Sequence, residues 1–182
     1  PEIGRKLSDT MRHRGSDGTG EKIAERVNLF SNRLSVMDIK NGTQPMSAEF
    51  LGEKYTILYD GEIYNSPELR REFKTRGISF KTSCDTETVL YSYIIYGEDC
   101  PKYLNGIFSF VIYDERKNSV FIARDRFGAK PLFYAEKGSL FLLASEIKAL
   151  LEHPKISRNI DKYGLWQLLY LSPVKTSGTG IF

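Results

Sequence analysis

The sequence is poor in the residues that build disulfide frameworks and metal centres. Its 182 residues include two cysteines, Cys84 and Cys100, and two histidines, His13 and His153. The cysteines form no C-x-x-C pair, and the four side chains show no metal-ligand spacing, so we predict neither a disulfide framework nor a metal site. Sparse cysteines of this kind are typical of a reducing compartment, and we therefore expect a cytoplasmic location.

Long apolar runs and a strong charge of one sign are also missing. No stretch approaches the ~18 consecutive apolar residues of a membrane-spanning helix, and the polar residues 1–6 lack the apolar core of a signal peptide. The 26 Lys and Arg residues exceed the 23 Asp and Glu residues by only three, which is too few to indicate a nucleic-acid binder. We therefore expect no membrane and no nucleic-acid partner, which leaves small polar ligands open.

The apolar pattern indicates a layered α+β domain. Helices are predicted at residues 1–14, 66–76, 85–96 and 161–171, and short strands at 27–30, 34–37, 55–59 and 78–80, the third interrupted by Asp60 and Gly61. Consecutive antiparallel strands are predicted at residues 107–113, 119–123, 131–134 and 140–143. Because residues 107–113 and 140–143 are apolar on both faces, each face must be covered by another layer.

Polar residues are concentrated in turns and at strand ends, where binding sites usually lie. Arg33 could grip a carboxylate, Glu62 and Asp85 could hold an ammonium group, and Gly61 could bring a bare backbone N–H close to a ligand. Together these groups suit an α-amino acid. Ordinary turn chemistry with surface ion pairs is the simpler interpretation from these residues alone, because each of them is commonplace by itself, and the functional interpretation stays open beside it.

The order and wording of seven motifs favour the functional interpretation. They are Arg12-His13-Arg14-Gly15-Ser16-Asp17, Arg33-Leu34-Ser35-Val36-Met37-Asp38, Asp60-Gly61-Glu62-Ile63-Tyr64-Asn65, Asp85-Thr86-Glu87, Asn105-Gly106-Ile107-Phe108-Ser109-Phe110, Ala123-Arg124-Asp125-Arg126-Phe127-Gly128 and Ser145-Glu146-Ile147-Lys148-Ala149-Leu150. Over nearly the whole chain, this series resembles the glutaminase domain of glutamine-dependent asparagine synthetases, which are class II amidotransferases.

The resemblance implies a fold and a set of roles. The fold would be the N-terminal nucleophile hydrolase fold, a four-layer α-β-β-α sandwich of two antiparallel sheets. Arg33 would grip the glutamine α-carboxylate, Glu62 and Asp85 would receive the α-ammonium, and Asp60 and Gly61 would occupy the oxyanion-hole positions. The backbone of three further residues would line the same pocket: Leu34, Ser35 and Val36.

The resemblance also implies partners beyond glutamine. We expect residues 1–171 to form the amidotransferase domain without its extreme N-terminus, and residues 172–182 to begin a linker toward a C-terminal synthetase domain. ATP and Mg²⁺ would belong to that second domain, and no cofactor is expected in this one. A homodimer stays open.

Two departures from the family pattern keep alternatives open. The family nucleophile is an N-terminal cysteine upstream of the Arg-His-Arg-Gly motif, and no cysteine precedes Cys84 in this sequence. The family usually has Asn where this chain has Asp60, and an ionised carboxylate cannot donate a hydrogen bond to an oxyanion. We therefore expect the 182 residues alone to lack glutaminase activity. The alternatives are a catalytically inactive structural or regulatory domain and an amidotransferase for another acceptor.

Overall fold

A four-stranded antiparallel sheet forms the centre of the protein, and the computed structural model describes residues 1–170. The helices are α1 (Glu2–Asp9), α2 (Ser66–Thr75), α3 (Asp85–Tyr96), α4 (Ile147–Leu151) and α5 (Lys162–Tyr170), with 3-10 turns at Arg12–Arg14 and Gly97–Lys102. The strands are β1 (Gly18–Ile23), β2 (Asn28–Arg33), β3 (Met46–Phe50), β4 (Glu53–Ile63), β5 (Gly106–Asp114), β6 (Ser119–Arg124), β7 (Phe133–Lys137) and β8 (Leu140–Ala144). The central sheet has the order β3-β4-β5-β6.

Helices α2 and α3 cover one face of this sheet. The principal core lies between these two helices and the sheet, and its fully buried members include Phe73 on α2, Leu90 on α3 and Ile112 on β5. Helix α2 begins with Pro67 in its first turn, where the missing N–H costs nothing, and α3 ends at Gly97 with φ of 61°. Both helices lie where the sequence predicts them.

Two hairpins, β1-β2 and β7-β8, form the second β layer. On the far side of this layer, α1 is held to β2 by a hydrogen bond from Asn32 Nδ2 to Ser8 O (2.7 Å), and α4 packs through Leu150 on Ala144 of β8. Lys6 of α1 pairs with Glu152 just after α4 (3.3 Å). The order of layers is therefore helices, four-stranded sheet, the two hairpins and helices, as the predicted four-layer sandwich requires.

The structure corrects several details of the predicted elements. Residues 34–37 and 78–80 are irregular, and β4 runs through residues 60 and 61 without interruption. The predicted meander divides, because β7 and β8 pair only with each other among the described residues. Both faces of 107–113 are covered as predicted, but the prediction is wrong for 140–143, where Phe141 is 45% exposed.

Local sequence explains why the prediction missed two strands. The β1 segment Gly-Thr-Gly-Glu-Lys-Ile and the β3 segment Met-Ser-Ala-Glu-Phe carry little apolar alternation. Pairing with β2 and with β4, respectively, forms them. The predicted linker, residues 172–182, lies outside the described residues.

Candidate functional site

A pocket of about 540 Å³ lies between the two β layers, beside the second half of β4. Its wall combines residues from the ends of β2 and β8, from β4 and β5, and from the N-terminus of α3. Arg33, Glu62 and Asp85 all line it, although 29 and 23 residues separate them in sequence. The predicted amino-acid site is thus brought together in space.

The open edge of β4 forms the floor of this site. Strand β3 pairs only with residues 53–57, so no strand from residues 1–170 lies beside residues 58–63 on that side. The Gln44 side chain takes the place of a strand, because its Oε1 accepts from Tyr59 N (2.7 Å) and its Nε2 donates to Tyr59 O (2.9 Å). Four residues after Tyr59, and two after Gly61, Ile63 N donates to Asp85 Oδ2 (3.0 Å).

Gly61 presents its backbone N–H at this edge. Alternate residues of a strand point their N–H groups to the same side, so the Gly61 N–H lies between those of Tyr59 and Ile63 and points away from β5. A side chain at position 61 would run into the carbonyl oxygen of Ile107 on β5, which is why glycine stands here. The Gly61 N–H is therefore placed to donate to a ligand oxygen.

Asp85 begins α3 and is only 5% exposed. Its Oδ2 accepts the Ile63 N–H and also the Tyr59 hydroxyl at 2.6 Å. Burial and the Asp85 charge raise the pKa of Tyr59, so its hydroxyl remains a donor. Two donors on one oxygen fix the orientation of the carboxylate.

Glu62 supplies a second carboxylate to the same pocket. Burial, and then the charge of Asp85, raise the pKa of Glu62, while Lys130 acts in the opposite direction. Because the charge of Asp85 opposes the ionisation of Glu62, a cation bound between the two carboxylates is favoured. The geometry suits an ammonium group.

Arg33 ends β2 at the opposite side of the pocket. Its guanidinium donates to three carbonyl oxygens of the following loop, those of Met37 (3.0 Å), Asp38 (2.8 Å) and Ile39 (2.9 Å). These bonds replace the strand predicted at 34–37, because the loop wraps around the side chain of Arg33. The cation is thereby fixed at the pocket wall.

The loop after Arg33 supplies two of the three predicted lining residues. Leu34 and Val36 line the pocket and are 61% and 75% exposed. Ser35 does not line the pocket; its N–H donates to Asp17 Oδ2 (2.7 Å).

Asp60 has two cationic partners that sequence reasoning missed. Arg14 Nη2 lies 3.0 Å from Asp60 Oδ2, and Lys130 Nζ lies 2.8 Å from Asp60 Oδ1. Both cations line the pocket; Arg14 belongs to the Arg-His-Arg-Gly motif, and Lys130 lies two residues after the motif that ends at Gly128. Nothing in their spacing indicates the pairing, since 46 and 70 residues separate them from Asp60.

The two cysteines differ in position. Cys100 is fully buried in the core, and burial followed by the charge of Asp99 raises its pKa to about 12, so its thiol is a poor nucleophile. Cys84 lines the pocket directly before Asp85, with Sγ 3.0 Å from Thr82 Oγ1, and is 3% exposed. Neither stands at a free N-terminus.

Residues 1–170 offer neither a metal centre nor a membrane-spanning helix. No cluster of three His, Cys, Asp or Glu side chains there is arranged to hold a metal ion. None of the helices in that range is long and apolar enough to cross a bilayer.

Comparison with known sequences gives a consistent result. The family described as "Glutamine amidotransferase domain" matches residues 2–182. The chain is 47% identical over 177 residues to asparagine synthetase [glutamine-hydrolyzing] 3 of Bacillus subtilis, covering 97% of this chain and 29% of that protein. It is 38% identical to asparagine synthetase [glutamine-hydrolyzing] 1 of the same organism, covering 92% of this chain and 26% of that protein. The chain thus spans less than a third of the length of these relatives.

Solved structures support the fold. One titled as the allosteric regulatory enzyme of purine biosynthesis superimposes with a TM-score of 0.72 at 19% identity, over 84% of this chain and 40% of that one. The glutamine phosphoribosylpyrophosphate amidotransferase of B. subtilis gives a TM-score of 0.66 at 20% identity, over 82% and 40%. The predicted α+β class and N-terminal nucleophile hydrolase fold are confirmed.

Proposed function

The chain belongs to the glutamine amidotransferase domain family, in the form found in asparagine synthetase-like proteins, and we propose that its pocket binds L-glutamine for hydrolysis to glutamate and ammonia. The main support for this proposal is that one pocket is lined by Arg33, Glu62, Asp85 and Gly61 with its backbone N–H.

The polar groups of the pocket match the three polar groups of glutamine. The Arg33 guanidinium faces the α-carboxylate, for which its planar donors are suited. Glu62 and Asp85 receive the α-ammonium, and their mutual repulsion falls when that cation binds. The Gly61 N–H donates to the side-chain carbonyl oxygen of the substrate.

Hydrolysis requires a nucleophile in addition to this pocket. By resemblance to the family, a cysteine upstream of Arg12 attacks the amide carbon, which forms a C–S bond and places the electron pair on oxygen. Collapse of that oxyanion breaks the C–N bond, and the protonated nitrogen leaves as ammonia. Water then cleaves the thioester to release glutamate and free thiol. Residues 1–11 contain no cysteine, so the chain as given binds glutamine but does not turn it over.

The use of the ammonia is proposed from the relatives. Because the chain spans 29% and 26% of two proteins named asparagine synthetase [glutamine-hydrolyzing], we assign the ammonia to asparagine formation in a synthetase domain of the intact protein.

Titration calorimetry tests the binding step with the chain as it stands. L-Glutamine should bind in a 1:1 complex, whereas D-glutamine and L-asparagine should bind at least about tenfold more weakly, because each misplaces one of the three paired groups. Equal affinity for the three compounds, or no heat with L-glutamine, would contradict the proposal.

A further inference from the structure

Asp60, the carboxylate at the predicted oxyanion-hole position, is paired with two cationic side chains. Asp60 projects from β4 toward the hairpin layer, where Arg14 and Lys130 each bind one of its oxygens, at 3.0 and 2.8 Å. One negative charge thus meets two positive charges. Glu146 lies 3.6 Å from Arg14 Nη1 and shares that cation, but it also binds His13 (2.8 Å) and Lys148 (3.0 Å). The charge of Asp60, next to Gly61, is therefore compensated by the two cations that bind it.

The loop that carries Lys130 is rigidly built. The Asp125 carboxylate, 7% exposed, accepts the backbone N–H groups of Phe127 (3.0 Å), Ala129 (3.0 Å) and Lys130 (3.1 Å) within the loop. It also accepts the N–H of Phe108 on β5 (3.3 Å), which ties the loop to the central sheet. The backbone of Lys130 is thus fixed relative to β4 and β5, and its side chain reaches Asp60 across the pocket.

Lys130 has donors to spare. An ammonium group carries three N–H donors, and Asp60 Oδ1 uses one of them. The side chain lines the pocket and is 28% exposed, so a ligand oxygen has access to it. Lys130 also lies near enough to Glu62 to oppose the rise of the Glu62 pKa.

From this geometry we infer that the Lys130 ammonium, anchored by Asp60, is the second donor to negative charge on the side-chain oxygen of the bound substrate, beside the Gly61 N–H. The inference rests on the proposed function. Asp60 then acts as a positioning residue: its carboxylate holds the cation that donates where a neutral amide side chain would otherwise donate itself. Its presence is compatible with catalysis and gives no reason to regard the domain as inactive.

The experiment compares two ligands that differ only at the reacting end. L-Glutamate places a carboxylate where L-glutamine has a neutral amide, and so mimics the negative charge of the oxyanion in the chain as it stands. Affinities of both ligands are measured by calorimetry for the wild type, Lys130→Met, Lys130→Arg and Lys22→Met. Lys22 is the matched control, since it is also partly buried and paired with a carboxylate, Glu115, but does not line the pocket.

We expect Lys130→Met to weaken L-glutamate binding about tenfold more than L-glutamine binding, in keeping with the loss of one charge-assisted hydrogen bond. Lys130→Arg should restore most of the difference, and Lys22→Met should leave the ratio unchanged. Equal losses for the two ligands would overturn the inference, because they would show an effect on pocket shape alone. Tighter glutamine binding in Lys130→Met would also overturn it, because Lys130 would then compete with the α-ammonium.

The same data separate this inference from the proposed function. A wild-type chain that binds neither ligand contradicts glutamine binding itself and the inference that rests on it. A wild-type chain that binds both ligands, with Lys130→Met showing an unchanged ratio, contradicts only the role of Lys130.

Discussion

Replacing Asp85 with Asn removes one charge from the pocket and keeps the local structure. Tyr59 and Ile63 both donate to Asp85 Oδ2, and an Asn side chain offers an oxygen of the same shape to these donors. The carboxylate is only 5% exposed, so its contact with a ligand ammonium is weakly screened. Asp85→Asn therefore tests the charge of the site separately from its geometry.

The expected loss follows from the chemistry of that contact. A hydrogen bond between charged groups contributes ~1.5–3 kcal/mol, which corresponds to about a 10- to 100-fold loss of L-glutamine affinity. Titration calorimetry measures this loss directly. A second ligand, the des-amino analogue glutaramate, has no α-ammonium and should bind Asp85→Asn as well as it binds the wild type.

Asp114→Asn is the matched control. Asp114 is 1% exposed and accepts a backbone N–H, that of Lys117 (3.1 Å), but it does not line the pocket. Its replacement should leave L-glutamine affinity unchanged. If Asp85→Asn bound L-glutamine as tightly as the wild type, or lost glutaramate to the same degree, the assignment of the α-ammonium to Asp85 would be refuted.

Three further predictions concern stability and pH. Glu62→Gln should raise the melting temperature near pH 7 and weaken the binding of L-glutamine. Folding raises the pKa of Glu62, so its ionisation lowers stability as pH rises through the interval above 4.5, and the bound glutamine ammonium offsets that loss. A lower melting temperature for Glu62→Gln would contradict this prediction. Asp125→Ala should cost about 2–4 kcal/mol of unfolding free energy by denaturant titration at pH 7. Burial opposes ionisation of Asp125, but its backbone hydrogen bonds prevail and lower its pKa. The difference in unfolding free energy between Asp125→Ala and the wild type should therefore narrow as pH falls below 3.8. A difference that does not depend on pH would contradict this prediction. Phe73→Ala, at a site with no exposure, should cost ~3–5 kcal/mol without changing the ratio of glutamate to glutamine affinity.

The sequence was sufficient for features with a local cause. Helices α2 and α3 have apolar stripes, a proline in the first turn or a glycine at the end, and both were predicted closely. Strand β5 is apolar on both faces and is covered on both. Family resemblance predicted the convergence of Arg33, Glu62 and Asp85, which turn chemistry alone could not.

Features with a distant cause were missed. Strand β1 forms through its pairing with β2 and has no apolar signal of its own. The loop after Arg33 resembled a strand because Leu34 and Val36 alternate with polar residues, but hydrogen bonds from Arg33 to the loop carbonyls bend it around the side chain. Asp60 alone looked like a defect, because its two cationic partners lie 46 and 70 residues away in sequence.

Nuclear magnetic resonance of the ¹⁵N-labelled chain during titration with L-glutamine shows whether glutamine binds at the open edge of β4. The amide groups of Gly61 and Ile63 lie at the open edge of β4. The Gly61 N–H is placed to donate to the ligand, and the Ile63 N–H donates to Asp85. Both signals should shift in step with saturation, together with the guanidinium signal of Arg33, while core amides such as that of Ile112 stay unchanged. Shifts confined to another surface, or a Gly61 signal that does not move at saturation, would contradict glutamine binding in this pocket.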